Sequence, residues 1–276
     1  MSADTRRIAL LQMTTGIDPA ANASTMARAA EQAADEGAAM LFTPEMSGLL
    51  DRDRARGSRH VVAEAESPVL AEVRNAAAKA GIWVHIGSLA VKAEGARWAN
   101  RAFVITSTGE IAARYDKIHM FDVDLATGET WRESAAYQPG EAVVTVDDTP
   151  LGRLGLAICY DIRFPALFEA LGQRKCDVIA IPAAFTVPTG RAHWHLMQRA
   201  RAVEASAFVI SAAQVGRHED GRETYGHSLV VDPWGDVVLD MGETGGLGFA
   251  DVDLARIAEV RAQVPSLANR RPIPTS

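Results

Sequence analysis

The chain is expected to fold as a layered α/β domain with mixed sheets, and three observations lead there. Short apolar runs of strand length alternate with Ala-rich segments of helical spacing along the 276 residues. Glycine directly follows the first two helical segments, at Gly37 and Gly81, where a left-handed residue ends a helix. Hairpin signals interrupt the alternation, which argues against an all-parallel sheet. With no solenoid-period repeat and no low-complexity linker, a single domain is expected over residues 1–264. A Pro- and Arg-rich extended arm follows over 265–276.

Residues 8–13 read as the first strand, and 20–36 as a helix with Ala23, Met26, Ala30, Ala33 and Ala34 on one stripe. The apolar strand 38–42 is cut by Thr43-Pro44-Glu45. A helix over 68–80 opens on Pro68, where a missing N–H costs nothing, and strand 82–91 follows. Strands 102–106 and 111–115 flank Ser107-Thr108-Gly109-Glu110, a hairpin signal. Residues 117–140 lack periodicity and read as one long loop, a length usually kept for function. Strands are then expected at 143–146 and 154–158, a helix at 165–173, a strand at 178–181, a helix within 189–206 and a strand at 208–213. A second hairpin (228–232 and 236–240) turns at Pro233-Trp234-Gly235, before strand 249–252 and an amphipathic helix over 254–264.

Composition narrows the class of function. Hydrophobic residues make up 48% and charged residues 23%, the profile of a soluble globular protein. A net charge of −7 argues against nucleic acid or an anionic membrane as a partner, while leaving room for a local basic pocket. The run from Ile8 to Met13, broken by Gln12, is too short for a signal segment or a membrane span. Two cysteines without a CxxC pair point to a reducing, cytoplasmic setting.

Three reactive side chains fall just past the ends of expected strands: Glu45, Lys117 and Cys159. Ligands of open α/β sheets bind at the carboxyl ends of strands, so these three are candidates for one crevice. Cys159 stands between a strand and a helix expected to begin at Phe164-Pro165, a place that favours a thiolate. Together they suggest carbon–nitrogen bond hydrolysis. A thiolate attacks an amide carbonyl, a cation or N–H group holds the oxyanion, and a carboxylate moves protons. Cys176 opens an apolar strand without reactive company and reads as structural.

Phe42-Thr43-Pro44-Glu45, residues 115–122 and residues 155–165 resemble, in order, the three signature segments of the nitrilase superfamily of carbon–nitrogen hydrolases. The resemblance runs from about Ile8 to the tail. It implies a four-layer α-β-β-α sandwich that pairs into a homodimer or higher homo-oligomer, with no metal and no cofactor. It makes Glu45 the general base, Lys117 and the Tyr160 N–H the oxyanion donors, Cys159 the nucleophile and Glu133 the second glutamate. Residues 159–165, 192–194 and 199–204 are similar to the Nit branch, which hydrolyses the terminal amide of 2-oxo acid amides to acid and ammonia. Residues 212–218, 225–235 and 269–272 look closest to the deaminated glutathione amidases. An omega-amidase acting on 2-oxoglutaramate and an N-carbamoyl or other aliphatic amide hydrolase are the alternatives. Within that branch Arg163 would bind the substrate carboxylate, and Phe185 and Thr189 would flank it. A guanidinium suits that role by its bidentate fork. Arg163 could instead pair with Asp161 or Glu169, and Phe185 could be core. The loop Met46-Ser47-Gly48-Leu49-Leu50-Asp51 departs from the subgroup signatures.

Rival chemistries find less support. His193 and His195 are two apart and would leave a helix on different faces, and no HExxH is present, which argues against a metal centre. A Cys–His hydrolase would draw on His119, His193 or His227. No GxSxG elbow, Walker loop or GxGxxG after a strand occurs. A catalytically silent scaffold is the non-enzyme alternative, disfavoured because Glu45, Lys117, Glu133 and Cys159 are all retained.

Overall fold

The structure, a computed structural model, describes residues 4–93, 95, 97–126, 128 and 130–273. In chain order the first half comprises β1 (Thr5–Gln12), α1 (Pro19–Asp35), β2 (Met40–Phe42), α2 (Arg54–Gly57), α3 (Pro68–Ala80), β3 (Trp83–Lys92), β4 (Trp98–Ile105), β5 (Ile111–Asp116), β6 (Asp122–Asp124) and β7 (Thr130–Arg132). The second half comprises β8 (Thr145–Thr149), β9 (Gly152–Leu156), α4 (Pro165–Gln173), β10 (Val178–Ala180), α5 (Val187–Ala205), β11 (Phe208–Ser211), β12 (Val215–Arg217), β13 (Glu223–Tyr225), β14 (Leu229–Val231), β15 (Val237–Asp240), β16 (Gly246–Asp253) and α6 (Ala255–Gln263).

Two six-stranded sheets stack face to face, ordered β16-β1-β2-β3-β4-β5 and β15-β14-β11-β10-β9-β8. In each, three central strands run parallel (β1, β2, β3 and β9, β10, β11) and antiparallel strands complete the edges. α1 and α3 cover one outer face, and the residues they bury meet Ala9, Leu11, Leu41 and Val84. Ile8, Leu10, Met40 and Phe42 from the same strands point into the second core, with β9–β11, α4 and α5. The order is therefore α-β-β-α. Burial on both faces is why the central strands read as unbroken apolar runs. Each fully buried large aliphatic side chain contributes about 1.5–3 kcal/mol.

Helix ends follow the sequence. Asp18 caps α1 through the Ala20 N–H at 2.9 Å, Ser67 caps α3 through the Leu70 N–H at 3.2 Å, and Gly81 ends α3 at φ +66°. Several features differ from expectation. β4 begins at Trp98 rather than at residue 102. The long loop contains the β6–β7 hairpin and a 3₁₀ turn, Glu133–Ala135. β12 and β13 form a further hairpin that the periodicity did not show. A 3₁₀ turn, Cys159–Arg163, separates β9 from α4. The unforeseen strands have three residues each, too few for a period of two to stand out. At the tail, Leu267 packs toward Gly172 of α4 and Arg270 pairs with Glu169. No helix among the described residues is long and apolar enough to cross a membrane.

Candidate active site

Glu45 follows β2, Lys117 follows β5 and Cys159 lies three residues beyond β9, so all three stand past the carboxyl ends of their strands. They line one cleft of about 300 Å³ together with Glu133, Tyr160, Arg163, Phe185 and Thr189. Every residue singled out in the sequence for the site therefore converges there.

The backbone at each corner is fixed by close packing. Below Glu45, Gly87 of β3 approaches so closely that a Cβ would lie 2.1 Å from the Thr43 carbonyl oxygen. The Gly87 N–H donates to Thr43 Oγ1 at 3.1 Å, and the Gln214 side-chain amide donates to the Glu45 carbonyl at 2.9 Å. Lys117 sits between a backbone bond to Asn100 (3.0 Å) and one from Gly140 (2.8 Å). A Cβ on Gly140 would meet the Asp116 carbonyl oxygen at 2.1 Å. Cys159 adopts φ +49°, a left-handed conformation costly for a residue with a Cβ and typical of side chains held for chemistry. Its N–H donates to the Pro182 carbonyl at 2.9 Å, and Tyr160 follows within the 3₁₀ turn.

The Lys117 ammonium donates to Glu45 Oε1 at 2.9 Å and to Glu133 Oε2 at 2.8 Å. Asn100 Nδ2 donates to the same two carboxylates, each at 3.0 Å. Glu45 Oε2 accepts the Ala184 N–H at 3.0 Å, and Glu133 Oε2 accepts the Phe121 N–H at 2.7 Å. Lys117 is 2% exposed and Glu45 5%. Burial alone would push the ammonium down, but Glu133, Glu45 and Cys159 together hold it well above its ordinary range. Lys117 is thus a permanent cation.

The position of Cys159 before a helix start favours a thiolate, but its surroundings act the other way. Burial, with the Glu45 charge next, pushes Cys159 well above its ordinary range, and the opposing pull of Lys117 and the Ala184 N–H is smaller. Cys159 is thereby held as a thiol, with the Glu45 carboxylate acting on its proton. Cys176 is fully buried and pushed up to about 12, chiefly by desolvation.

Arg163 does not pair with Asp161 or Glu169. Asp161 is taken by the Tyr115 hydroxyl (2.6 Å), His119 and the Ile158 N–H, and Glu169 pairs with Arg270. The Arg163 guanidinium lies 5.9 Å from the Tyr160 ring centre and 5.6 Å from that of Phe185, with His193 Nδ1 3.3 Å away. Among the described residues it has no carboxylate partner, which leaves its fork open to a ligand carboxylate. Phe185 is both wall and core, packing edge-on against Trp194 with centroids 4.8 Å apart. Thr189 Oγ1 lies 2.9 Å from Thr186 Oγ1 at the start of α5.

The histidines serve other ends. His119 stacks on Phe164 at 3.6 Å. His193 turns to Arg163 and His195 to Asp240, as expected of neighbours two apart. His227 also contacts Asp240, and the ligand atoms of His195, His227 and Asp240 lie within 4.8 Å of one another, although none of the three lines the cleft. Among the described residues no histidine lines the cleft that holds Cys159, which disfavours the Cys–His reading. Asn100 and Gln214 were missed in the sequence. The one signal for Asn100 was a polar residue in a strand whose start was placed too late.

Comparison with known proteins agrees with this geometry. The family model described as Carbon-nitrogen hydrolase matches residues 7–262. A deaminated glutathione amidase of Yersinia enterocolitica is 38% identical over 267 residues, 96% of this chain and 92% of that protein. The crystal structure of the Caenorhabditis elegans NitFhit protein superposes with a TM-score of 0.89 at 35% identity, covering 98% of this chain and 66% of that one. A mutant amidase from Nesterenkonia sp. AN1, with the acetamide moiety of fluoroacetamide added covalently at its active-site cysteine, gives a TM-score of 0.82 at 27% identity over 98% of this chain and 95% of its own. The chain belongs to the carbon-nitrogen hydrolase family, as an amide hydrolase.

Proposed function

We propose that this enzyme hydrolyses 2-oxo acid amides through a Cys159 thioester, with deaminated glutathione as its preferred substrate class. The observation that carries the reading is one cleft holding Glu45, Lys117 and Cys159 beside an Arg163 guanidinium that lacks a carboxylate partner. The 2-oxo acid carboxylate docks on Arg163, against Phe185 and Thr189. Glu45 takes the thiol proton as sulfur attacks the amide carbonyl, and Lys117 with the Tyr160 N–H receives the oxyanion. Collapse expels the amine, which takes the proton back from Glu45. Water then attacks the thioester with Glu45 as base, and the acid leaves. Glu133 holds Lys117 in place throughout. An unsubstituted amide such as 2-oxoglutaramate releases ammonia. In deaminated glutathione the scissile nitrogen belongs to cysteinylglycine, so the leaving group is that dipeptide's amine, a correction to ammonia as the general product.

The test compares kcat/KM for deaminated glutathione and 2-oxoglutaramate in the wild type, Cys159→Ala and Arg163→Lys. The wild type is expected to favour deaminated glutathione, and Cys159→Ala to lose at least about 10³ in kcat. Arg163→Lys should raise KM about tenfold, because a point charge replaces a bidentate fork. Wild-type turnover in Cys159→Ala, or preference for 2-oxoglutaramate, would count against the respective part. Two free cysteines, both buried, support a reducing cytoplasmic location, and an apolar outer helix face supports self-association.

A further inference from the structure

The geometry points to a second anion subsite at the mouth of the same cleft, built by Arg52 and the Trp131 indole, which receives a carboxylate on the leaving-amine side of the substrate. It rests on the substrate reading above, because the first carboxylate is held by Arg163.

The charge of the cleft carries the first part of the argument. In a chain of net charge −7, its walls carry six cationic side chains against four anionic ones. Several of these are neutralised locally: Lys117 by Glu45 and Glu133, Asp51 by Arg56, Arg132 by Asp124, and Arg222 by Asp220. Arg52, Arg54 and Arg163 remain on the cationic side, none of them in an ion pair with a described residue, against Glu223 on the anionic side. Arg54 is occupied in part by the Arg132 carbonyl at 2.6 Å. Arg52 makes no hydrogen bond to any described residue and rests on the Trp131 ring, its guanidinium carbon 5.3 Å from the centroid. Arg222 lies over the same ring at 5.2 Å.

Trp131 supplies the second part. Its ring lines the cleft while its Nε1–H is buried without a hydrogen-bond partner. A buried N–H left unmet is costly, and a ligand oxygen placed there would satisfy it. A guanidinium without an ion pair, lying over the ring that carries an unmet N–H, gives this wall a donor set for a carboxylate. The loop that presents Arg52 is anchored rather than free. Leu50 is buried, its N–H donates to the Gly16 carbonyl at 3.2 Å, and Asp51 receives two bonds from Arg56, at 2.7 and 2.8 Å. This segment lies directly beyond residues 46–51, where the sequence departs from subgroup signatures. The chemistry selected is an amide with an anion at each end: a 2-oxo acid on the acyl side and a carboxylate on the amine side. Two extended residues span about 7 Å, so a dipeptide amine carries its terminal carboxylate clear of the reacting carbon.

The experiment measures kcat/KM for three substrates: deaminated glutathione, the same compound with its terminal carboxylate converted to a carboxamide, and 2-oxoglutaramate. Wild-type enzyme is expected to favour the free carboxylate over the carboxamide by about tenfold or more. Arg52→Ala should reduce that preference to near unity and lower the rate on deaminated glutathione about ten times more than on 2-oxoglutaramate. Trp131→Phe, which keeps an aromatic face but removes the N–H and the second ring, should act in the same direction, mainly through KM. Equal wild-type turnover of carboxylate and carboxamide would overturn the subsite. So would an Arg52→Ala loss of the same size on all three substrates, the mark of a merely structural role. If wild-type enzyme hydrolyses none of the three, the substrate reading itself has failed. If it hydrolyses them without regard to the distal group, the subsite alone has.

Discussion

At the scale of single residues, Glu45 has two opposed effects on Cys159. Its charge adds to burial, the larger cause, in keeping the proton on sulfur, and it is the carboxylate that takes the proton when sulfur attacks. Glu45→Gln separates the two. The amide keeps the shape, and its one oxygen can accept from Lys117 and Asn100 or from the Ala184 N–H but not from both, while the negative charge is gone and Lys117 remains to act on the sulfur. The Cys159 pKa should therefore fall relative to wild type, even as turnover drops by about 10²–10⁴ through loss of the proton carrier. The measurement is ultraviolet thiolate absorbance against pH, with Cys159→Ala as the blank. Cys176, pushed up to about 12, stays silent over most of the range. A thiol titrating at higher pH in Glu45→Gln than in wild type would show that Glu45 does not hold the proton on sulfur.

At the scale of elements, the site depends on a tie between the two sheets. Asp161, in the 3₁₀ turn that carries Cys159, is fully buried and accepts from the Tyr115 hydroxyl of β5 at 2.6 Å and the His119 N–H at 3.0 Å. Lys117 lies between those two donors, so one carboxylate registers the oxyanion cation against the nucleophile. Burial and the Asp161 charge push the Tyr115 phenol well up, which keeps it a donor. Tyr115→Phe should cost about 2 kcal/mol, a lost hydrogen bond to a charged group without a change of shape, and lower Tm by roughly 5 °C. It should also lower kcat more than a surface substitution of equal destabilisation does. Unchanged Tm in thermal unfolding would refute the tie. This level also separates what the sequence made legible from what it did not. Strands such as β1, β10 and β11 showed themselves because both faces are buried, and Glu45, Lys117 and Cys159 because they stand just past such strands. Trp131 and Glu133 lie on a three-residue strand and a 3₁₀ turn, where no periodicity marks the fold, and only family resemblance pointed to Glu133. Asn100 and Arg52 owe their places to how a strand end and a loop lie across the crevice, which a one-dimensional pattern does not encode.

At the scale of the whole molecule, the outer helix layer of α4 and α5 presents apolar side chains to solvent. α5 turns Trp194, Gln198, Arg201, Ala202 and Ala205 inward, yet its outward face carries Leu196, 69% exposed, and Val203, 48% exposed, seven residues apart on one stripe. Val203 continues into a groove of about 570 Å³ with Trp234, Val264 and Leu267. An apolar tract of this kind on an outer helix marks a contact surface. A second copy of the chain would cover it by laying the same helix layer against itself, which extends α-β-β-α to eight layers with two-fold symmetry. A stable interface buries about 1,600 Å², and apolar anchors near its centre carry most of the energy. In sedimentation equilibrium at micromolar concentration, the wild type should therefore run at twice the chain mass. A Leu196→Glu, Val203→Glu double variant places four like charges in a two-fold contact and should run as a monomer with unchanged far-UV circular dichroism. A monomeric wild type, or a folded double variant that still sediments as a dimer, would show that this face is not where the copies meet.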